Sequence, residues 1–411
     1  MKVLVTIFEE LYPLSGGGSP RISNIIRAFA RNGHRVWAAG GISSSDREAE
    51  EYLGCERIVR LKAVSRLDPH KMKKYLIAHP ANIIRLVRAV KKFQPDLIVP
   101  HNSIAGYGAQ LGKRLVANDV FLVLNLTDVL FEYLDDYASG GWLKAVQKFG
   151  RMMEGAAIRG ADRIITISRA MKEILRDYSA DCSRVEVISD GVDLGIFRPY
   201  PVDDLRKKHA PGKDPILIFQ GVIDPQDGPE LLVEAARRVI DDYPAAEFWI
   251  IGAGTAIPTM KAEVERAGLN DSFFFSGWLP QKEAARYMAA GDIGLVILPD
   301  IISARGRVTL KEFEYWACGL SVIAPRLPAL QEVIDEGETG LFYRPGDAAD
   351  LAERIKELVG DRELSDRLAG AGANLVEEKY RWDKLADSFV ELCEGWKDQY
   401  GSFKESIIQQ S

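Results

Sequence analysis

The chain has 411 residues, 47% of them hydrophobic and 27% charged, with a formal net charge of −6. That length suits two or three domains with sizeable cores, the acidic balance and the lack of an RNA- or DNA-binding motif argue against nucleic acid, and no run approaches the ~18 apolar residues of a spanning helix. Cys55, Cys182, Cys318 and Cys393 are far apart with no Cys-x-x-Cys pair, which argues for reduced, packed thiols and against zinc.

Taken in order, the chain alternates short β-branched runs with helical periods, the pattern of parallel sheets covered on both faces. Val3–Phe8 reads as the first strand. Its apolar stretch is too short for a signal peptide and runs straight into Glu9 and Glu10, so a cytoplasmic protein is expected. Gly16-Gly17-Gly18 follows, with Ser19 suited to an N-cap and Pro20 to the first helical position, ahead of a buried stripe of Ile22, Ile25, Ile26 and Phe29 that Gly33 ends. The glycines either let backbone approach a ligand beside free helix amides or form an ordinary flexible turn.

Residues 1–200 are basic, with 29 Lys and Arg against 22 Asp and Glu, and the remainder is acidic. Most of the excess lies between Arg57 and Lys92, where Asp68 is the one acidic residue. There Ile83, Ile84, Leu86, Val87 and Val90 mark an apolar helix face ringed by Arg85, Arg88, Lys91 and Lys92. The segment is either a solvated face or a surface for anionic lipid headgroups or a diphospholipid acceptor.

Val36–Ala39, Leu97–Pro100, Phe121–Leu124, Ile164–Ile167 and Val185–Ile188 supply the remaining strands of a first sheet. His101-Asn102 and Asp128 follow two of these, at the carboxyl ends where open sheets bind ligands. His101 and Asn102 are acceptor-side candidates, although a lone histidine is more often simply hydrogen-bonded; Asp128 either orients a hydroxyl or caps the next helix. A break near residues 195–213 precedes a second series over Ile216–Gln220, Phe248–Ile251, Phe273–Phe275, Ile293–Ile297 and Leu320–Ala324. The expected fold is therefore α/β, two doubly wound Rossmann-like domains, residues 1–198 and 199–379, facing a deep cleft that holds the ligand. In the second, Thr309 and Glu312 read as a capping box that starts a helix after an Arg305-Gly306-Arg307 loop; Gly319 stops it, and Glu314 is left for other work.

The run Lys311-Glu312-Phe313-Glu314-Tyr315-Trp316-Ala317-Cys318-Gly319, continued by Val322-Ile323-Ala324, resembles the C-terminal signature of the family-four, or group 1, glycosyltransferases of the GT-B fold. Ala161 to Ser168, Val187 to Asp193, Phe197-Arg198-Pro199, Gly252-Ala253-Gly254 and Phe275-Ser276-Gly277-Trp278-Leu279 extend the likeness, in order, over most of the chain. The resemblance implies a retaining transferase moving a sugar from a UDP- or GDP-sugar to a glycan or lipid-linked acceptor, without a metal or bound cofactor; the basic segment between Arg57 and Lys92 would place it on the inner face of the membrane. It implies that Glu314 holds the ribose hydroxyls and that Gly16, Gly17 and Gly18 lie beside the diphosphate and sugar. Gly221 falls in the diphosphate loop, and Gly252, Gly254 and Gly277 in loops that cradle base and ribose. A helix over about 380–400, opened by Tyr380-Arg381-Trp382, is expected to cross back to the first domain. Asp128 and Glu314 are the expected catalytic residues.

Departures from the pattern carry as much information. Gly306 stands where the family's first glutamate belongs, Val222 and Asp227 replace the two cations that clamp the diphosphate, and Thr127 replaces a histidine before Asp128. Two phosphates in a partly dry site still need neutralising. Arg305, Arg307 and Lys311 are either the substitute clamp or solvated surface cations. The same departures leave open a catalytically weak GT-B-like protein that binds nucleotide or glycan as a subunit of an assembly complex, with a nucleotide-sugar epimerase as a third reading.

Overall fold

Among the described residues every strand pairs in parallel, as continuous β-branched runs separated by helical periods require. The structure, a computed structural model, describes residues 1–14, 17–63, 72–116, 119–129, 141–178 and 180–410. Gly16 and residues 64–71 of the basic segment lie outside these. The chain divides into Met1–Ser189 with Trp382–Ser411 as one unit and Asp190–Arg381 as the other.

In the first unit β1 (Lys2–Tyr12), β2 (Arg35–Ile42), β3 (Arg57–Arg60), β4 (Leu97–Pro100), β5 (Phe121–Leu126), β6 (Arg163–Thr166) and β7 (Val185–Val187) form a sheet in the order β3-β2-β1-β4-β5-β6-β7. Side chains alternate faces along β1: Val3, Val5 and Ile7 pack with Ile22, Ile25 and Phe389 on one side, Leu4 and Phe8 with Leu86 and Leu122 on the other. The helix Trp382–Gln410 adds Ala386, Phe389, Val390 and Cys393 to the first of these cores, so the end of the chain belongs to the unit that holds its beginning. The second unit contains β8 (Ile216–Val222), β9 (Glu247–Ala253), β10 (Phe273–Gly277), β11 (Ile293–Leu295), β12 (Ser321–Pro325) and β13 (Leu341–Tyr343), ordered β10-β9-β8-β11-β12-β13.

Two local expectations change, and one buried charge is new. The first helix spans Gly18–Arg31 with Gly17 as N-cap and no side-chain cap, so Ser19 is not the cap but a buried first-turn residue. In the helix Met72–Phe93 the inward face is Asn82, Leu86, Ala89, Val90 and Phe93, while Ile84 is 52% exposed beside exposed Arg85 and Arg88. At about 100° per residue Ile84 stands about 160° round the helix from Leu86, opposite the buried face, while Ile83 packs at its edge. Arg21, on the first helix, is fully buried: its Nε donates to Asn125 Oδ1, and its two terminal nitrogens to the Ser189 and Ile188 carbonyls, each at 3.0 Å. A planar guanidinium can satisfy several buried acceptors at once, and here it ties the first helix to β5 and to the segment after β7.

Candidate functional site

In the second unit the strand order reverses between β8 and β11, which share only the rungs Ile293↔Leu217 and Gly294↔Ile218. Where the strands part, Tyr315 fills the gap. Its hydroxyl accepts from the Gln220 N–H at 3.0 Å and donates to the Leu295 carbonyl at 3.2 Å, satisfying both backbone groups that the missing rung leaves. Gly294 makes room for it, since a Cβ there would stand 2.4 Å from the ring. The crevice outside the carboxyl ends of the strands at such a reversal is where open α/β sheets take ligands.

Tyr315 sits on the helix Lys311–Cys318, whose residues from Glu312 onward are all buried. The helix starts two residues later than the expected capping box. Thr309 accepts from the Lys311 N–H at 3.2 Å, Glu312 Oε1 accepts from the Thr309 N–H at 2.7 Å, and the Thr309 hydroxyl bonds Glu312 Oε2. Half of the box is thus made, and Glu312 is spent on it; burial raises its carboxyl to about 7. Glu314, one helical step further and 7% exposed, receives the Gln220 side-chain amide on Oε2 at 2.5 Å. Burial pushes its carboxyl up to about 8, opposed by the Lys311 ammonium and by the Gln220 amide, while the nearby Glu312 pushes the same way as burial.

Lys311 lies against the end of β8: its Cε is 3.2 Å from where a Cβ on Gly221 would stand, and its Nζ is 5.9 Å from the centre of the Phe219 ring. Gly221, Gly252 and Gly277, at the ends of β8, β9 and β10, all have positive φ, of 126°, 134° and 71°. At Gly252 the backbone itself forbids a side chain, because a Cβ would fall 2.0 Å from the Gly221 carbonyl oxygen; at Gly254 it would fall 1.9 Å from that of Ile223. Close approach of strand ends therefore accounts for these two glycines. Gly277 faces open space, next to Trp278, which is 65% exposed.

Arg305-Gly306-Arg307 is not a loop but the end of a short helix, Ile302–Arg305, with Gly306 as its C-cap. Arg305 is half exposed and forks onto Asp300, Nε to Oδ1 at 2.6 Å and a terminal nitrogen to Oδ2 at 3.2 Å. Its charge is already paired. Arg307 follows the cap and is half-buried. At the two positions where the resembled family carries cations, Val222 is 39% exposed, and Asp227 is buried and closes a short turn onto the Asp224 N–H.

The first unit gathers the other predicted residues around the ends of β1, β4 and β5. A Cβ on Gly18 would lie 2.7 Å from His101 Nε2 and 3.2 Å from Glu9 Oε2, whereas Gly17 faces open space. Asn125 gives its Oδ1 to Arg21, which turns its Nδ2 to His101 Nδ1 at 2.9 Å, and Asn102 turns its Nδ2 to His101 Nε2 at 3.3 Å, so an amide faces each ring nitrogen, with Nε2 also the one nearest Gly18. Burial, with the Arg21 charge added, holds His101 down to about 3, so it stays neutral. Asn102 adopts φ 61°, a left-handed conformation that asparagine tolerates best after glycine, and its Oδ1 accepts from the Thr127 N–H at 3.0 Å and from the Thr127 hydroxyl at 3.2 Å. Asp128 is half-buried just beyond β5; the residues it would cap, 130–140, lie outside those described.

Gln220, Tyr315 and Arg21 were not among the residues the sequence singled out. The one available signal was the amide that ends the apolar run Ile216–Phe219. Among the described residues no group of three or more His, Cys, Asp and Glu is placed to hold a metal, and no helix is long and apolar enough to cross a membrane.

Against known proteins, a family model described as glycosyl transferases group 1 matches residues 202–375, and one described as glycosyltransferase family 4 matches residues 15–195. The chain is 29% identical over 266 residues to a D-inositol 3-phosphate glycosyltransferase of Thermomonospora curvata, covering 61% of this chain and 60% of that protein. It is 25% identical over 390 residues to the sulfoquinovosyl transferase SQD2 of Arabidopsis thaliana, covering 92% and 71%. Among solved structures, Anabaena HepE in complex with UDP-glucose superposes with a TM-score of 0.75 at 18% identity, over 96% of this chain and all of that one.

Proposed function

The chain belongs to the group 1 glycosyltransferases of the GT-B fold, and from that premise we propose that it transfers a sugar from a nucleotide-diphosphate sugar to a glycan or lipid-linked acceptor with retention of configuration. The observation that carries the donor half is Glu314: a buried carboxylate on the first turn of a helix, at the β8/β11 reversal, beside Lys311. A carboxylate accepts hydroxyl donors, and helix amides with an ammonium neutralise phosphate, which is the pair of needs that a ribose and a diphosphate present. HepE was solved with UDP-glucose, which favours a UDP-sugar over a GDP-sugar here.

Lys311 is our choice for the principal phosphate cation, because it lies at Gly221 while Arg305 is held by Asp300. In the transfer, the bond from the anomeric carbon to the diphosphate breaks while the acceptor oxygen bonds on the same face, and the acceptor proton passes to the departing diphosphate. Lys311 and the helix amides stabilise the charge that develops on that group. His101, Asn102 and Asp128 are assigned to the acceptor, where His101, kept neutral by burial, would help position a hydroxyl. The exposed Ile84, Arg85, Arg88, Lys91 and Lys92 would bring the protein to an anionic membrane surface carrying such an acceptor.

Gly306, Val222 and Asp227 favour a second reading, a weak or inactive subunit that binds a nucleotide or glycan. Melting the protein with UDP, GDP, ADP and their sugars, then assaying transfer by wild type and Glu314→Ala, separates the two. One nucleotide is expected to raise the melting temperature by mass action, with turnover lost in the variant. Binding without turnover supports the second reading, and a melting temperature unmoved by all of them contradicts the first and leaves a glycan as the ligand of the second.

A further inference from the structure

Gln220 and Glu314 are joined by one short hydrogen bond, and what that bond leaves over points to a ligand. Gln220 Nε2 donates to Glu314 Oε2 at 2.5 Å. Among the described residues, neither the other oxygen of Glu314 nor the amide oxygen of Gln220 takes a hydrogen bond from the protein, and neither is sealed from solvent. One acceptor is therefore left on each of two hydrogen-bonded side chains, one of them a carboxylate that is 7% exposed, where β8 and β11 part. Nothing about this pair is loose. Gln220 is anchored by its own N–H to Tyr315, the residue after Glu314, so the same helix turn fixes both side chains relative to β8.

Two spare acceptors on a bonded pair of side chains, with the donor between them already used, offer what a vicinal diol needs, one acceptor for each neighbouring hydroxyl. Resting on the donor reading above, we propose that Gln220 and Glu314 grip the ribose as a pair, the amide oxygen of Gln220 taking one hydroxyl and Oε1 of Glu314 the other, so that the site selects ribonucleotides. Gln220 thus becomes a donor-contacting, specificity-determining residue. The bond between the pair serves a second end, since an amide N–H on Oε2 favours the ionised carboxylate that hydroxyl donors require.

The test is calorimetric titration of the full chain with UDP, GDP and ADP, each also as its 2′-deoxy and 3′-deoxy form, using wild type, Gln220→Met and Glu314→Ala. Methionine keeps the length of the side chain and removes its acceptor. Wild type is expected to prefer the ribonucleotide over both deoxy forms by about tenfold each, the order of one hydrogen bond to a buried acceptor. Gln220→Met should lose about tenfold for the ribonucleotide, cease to distinguish it from one deoxy form and still distinguish it from the other. A purely structural role would weaken all three ligands alike, and that outcome overturns the proposal. So does a wild type indifferent to both deoxy forms, a result that does not depend on the variant folding. If Glu314→Ala loses binding while Gln220→Met matches wild type, the pair is wrong and the donor site stands; if wild type binds none of the three nucleotides, the donor site itself falls.

Discussion

Affinity for the sugar nucleotide is expected to fall about fiftyfold between pH 8 and pH 6 in wild type, and hardly at all in Glu314→Gln. Glu314 must be ionised to accept hydroxyls, yet in the free protein burial holds its carboxyl up at about 8. Below that value binding must first remove a proton, which costs about tenfold in affinity per pH unit. A sugar nucleotide is the right probe, because both of its phosphates are esterified and neither titrates in this range. The variant, with no proton to lose, should bind weakly and evenly, by about 1.5–3 kcal/mol less than wild type at pH 8 for the lost charged acceptor. Stability should move the other way. The folded-state value lies above the ordinary 4.5, so the contribution of Glu314 to stability is complete below about 4.5 and is lost as pH rises through about 8. Glu314→Gln should therefore melt higher than wild type at pH 8.5, with the gap closing towards pH 4.5, a trend that scanning calorimetry reads directly.

Lys311→Met should cost about a hundredfold in affinity for the nucleoside diphosphate and far less for the bare nucleoside, which loses only through the effect on Glu314. The scale follows from losing a charge-assisted contact to phosphate, about 3 kcal/mol, in a site where Val222 and Asp227 provide no other cation. The same change should raise the carboxyl of Glu314 further, since Lys311 is the strongest influence holding it down, and so shift the pH profile of binding upward. Arg305→Ala serves as comparison: with its guanidinium committed to Asp300 at the surface, its loss should matter far less. Equal losses in the two variants, or a Lys311→Met protein that binds nucleoside and nucleoside diphosphate with equal deficits, would count against Lys311 as the phosphate cation.

The sheets were legible because nearly every strand is a run of Val, Ile, Leu and Phe buried on both faces, and such runs need no partner to be recognised. The two strands that escaped, β3 and β13, are the outermost on their sheets. Arg57-Ile58-Val59-Arg60 is four residues with a charge at each end, and Leu341-Phe342-Tyr343 is three residues set among turn formers; short, charged edges are what protects a sheet from further pairing, and they erase the apolar signal. Glu314 was legible through its neighbours on one helix turn. Gln220 was not, because its meaning comes from a contact with a residue 94 positions away. Arg21 gave no signal for the same reason: a charge at helical spacing is normally solvated, and only Asn125 and the carbonyls of Ile188 and Ser189 show why it is buried. Glycine signals were visible but ambiguous. Gly252 and Gly254 stand where the family resemblance put them, but strand ends that touch are sufficient reason for both.

The central claim is that Glu314 holds the ribose of an activated sugar. A crystal structure of the protein with the nucleotide-sugar that most raises its melting temperature tests this directly. Glu314 should lie within hydrogen-bond distance of a ribose hydroxyl, with the diphosphate at Lys311 and the start of its helix. A nucleotide bound elsewhere, or a ribose out of reach of Glu314, would contradict it.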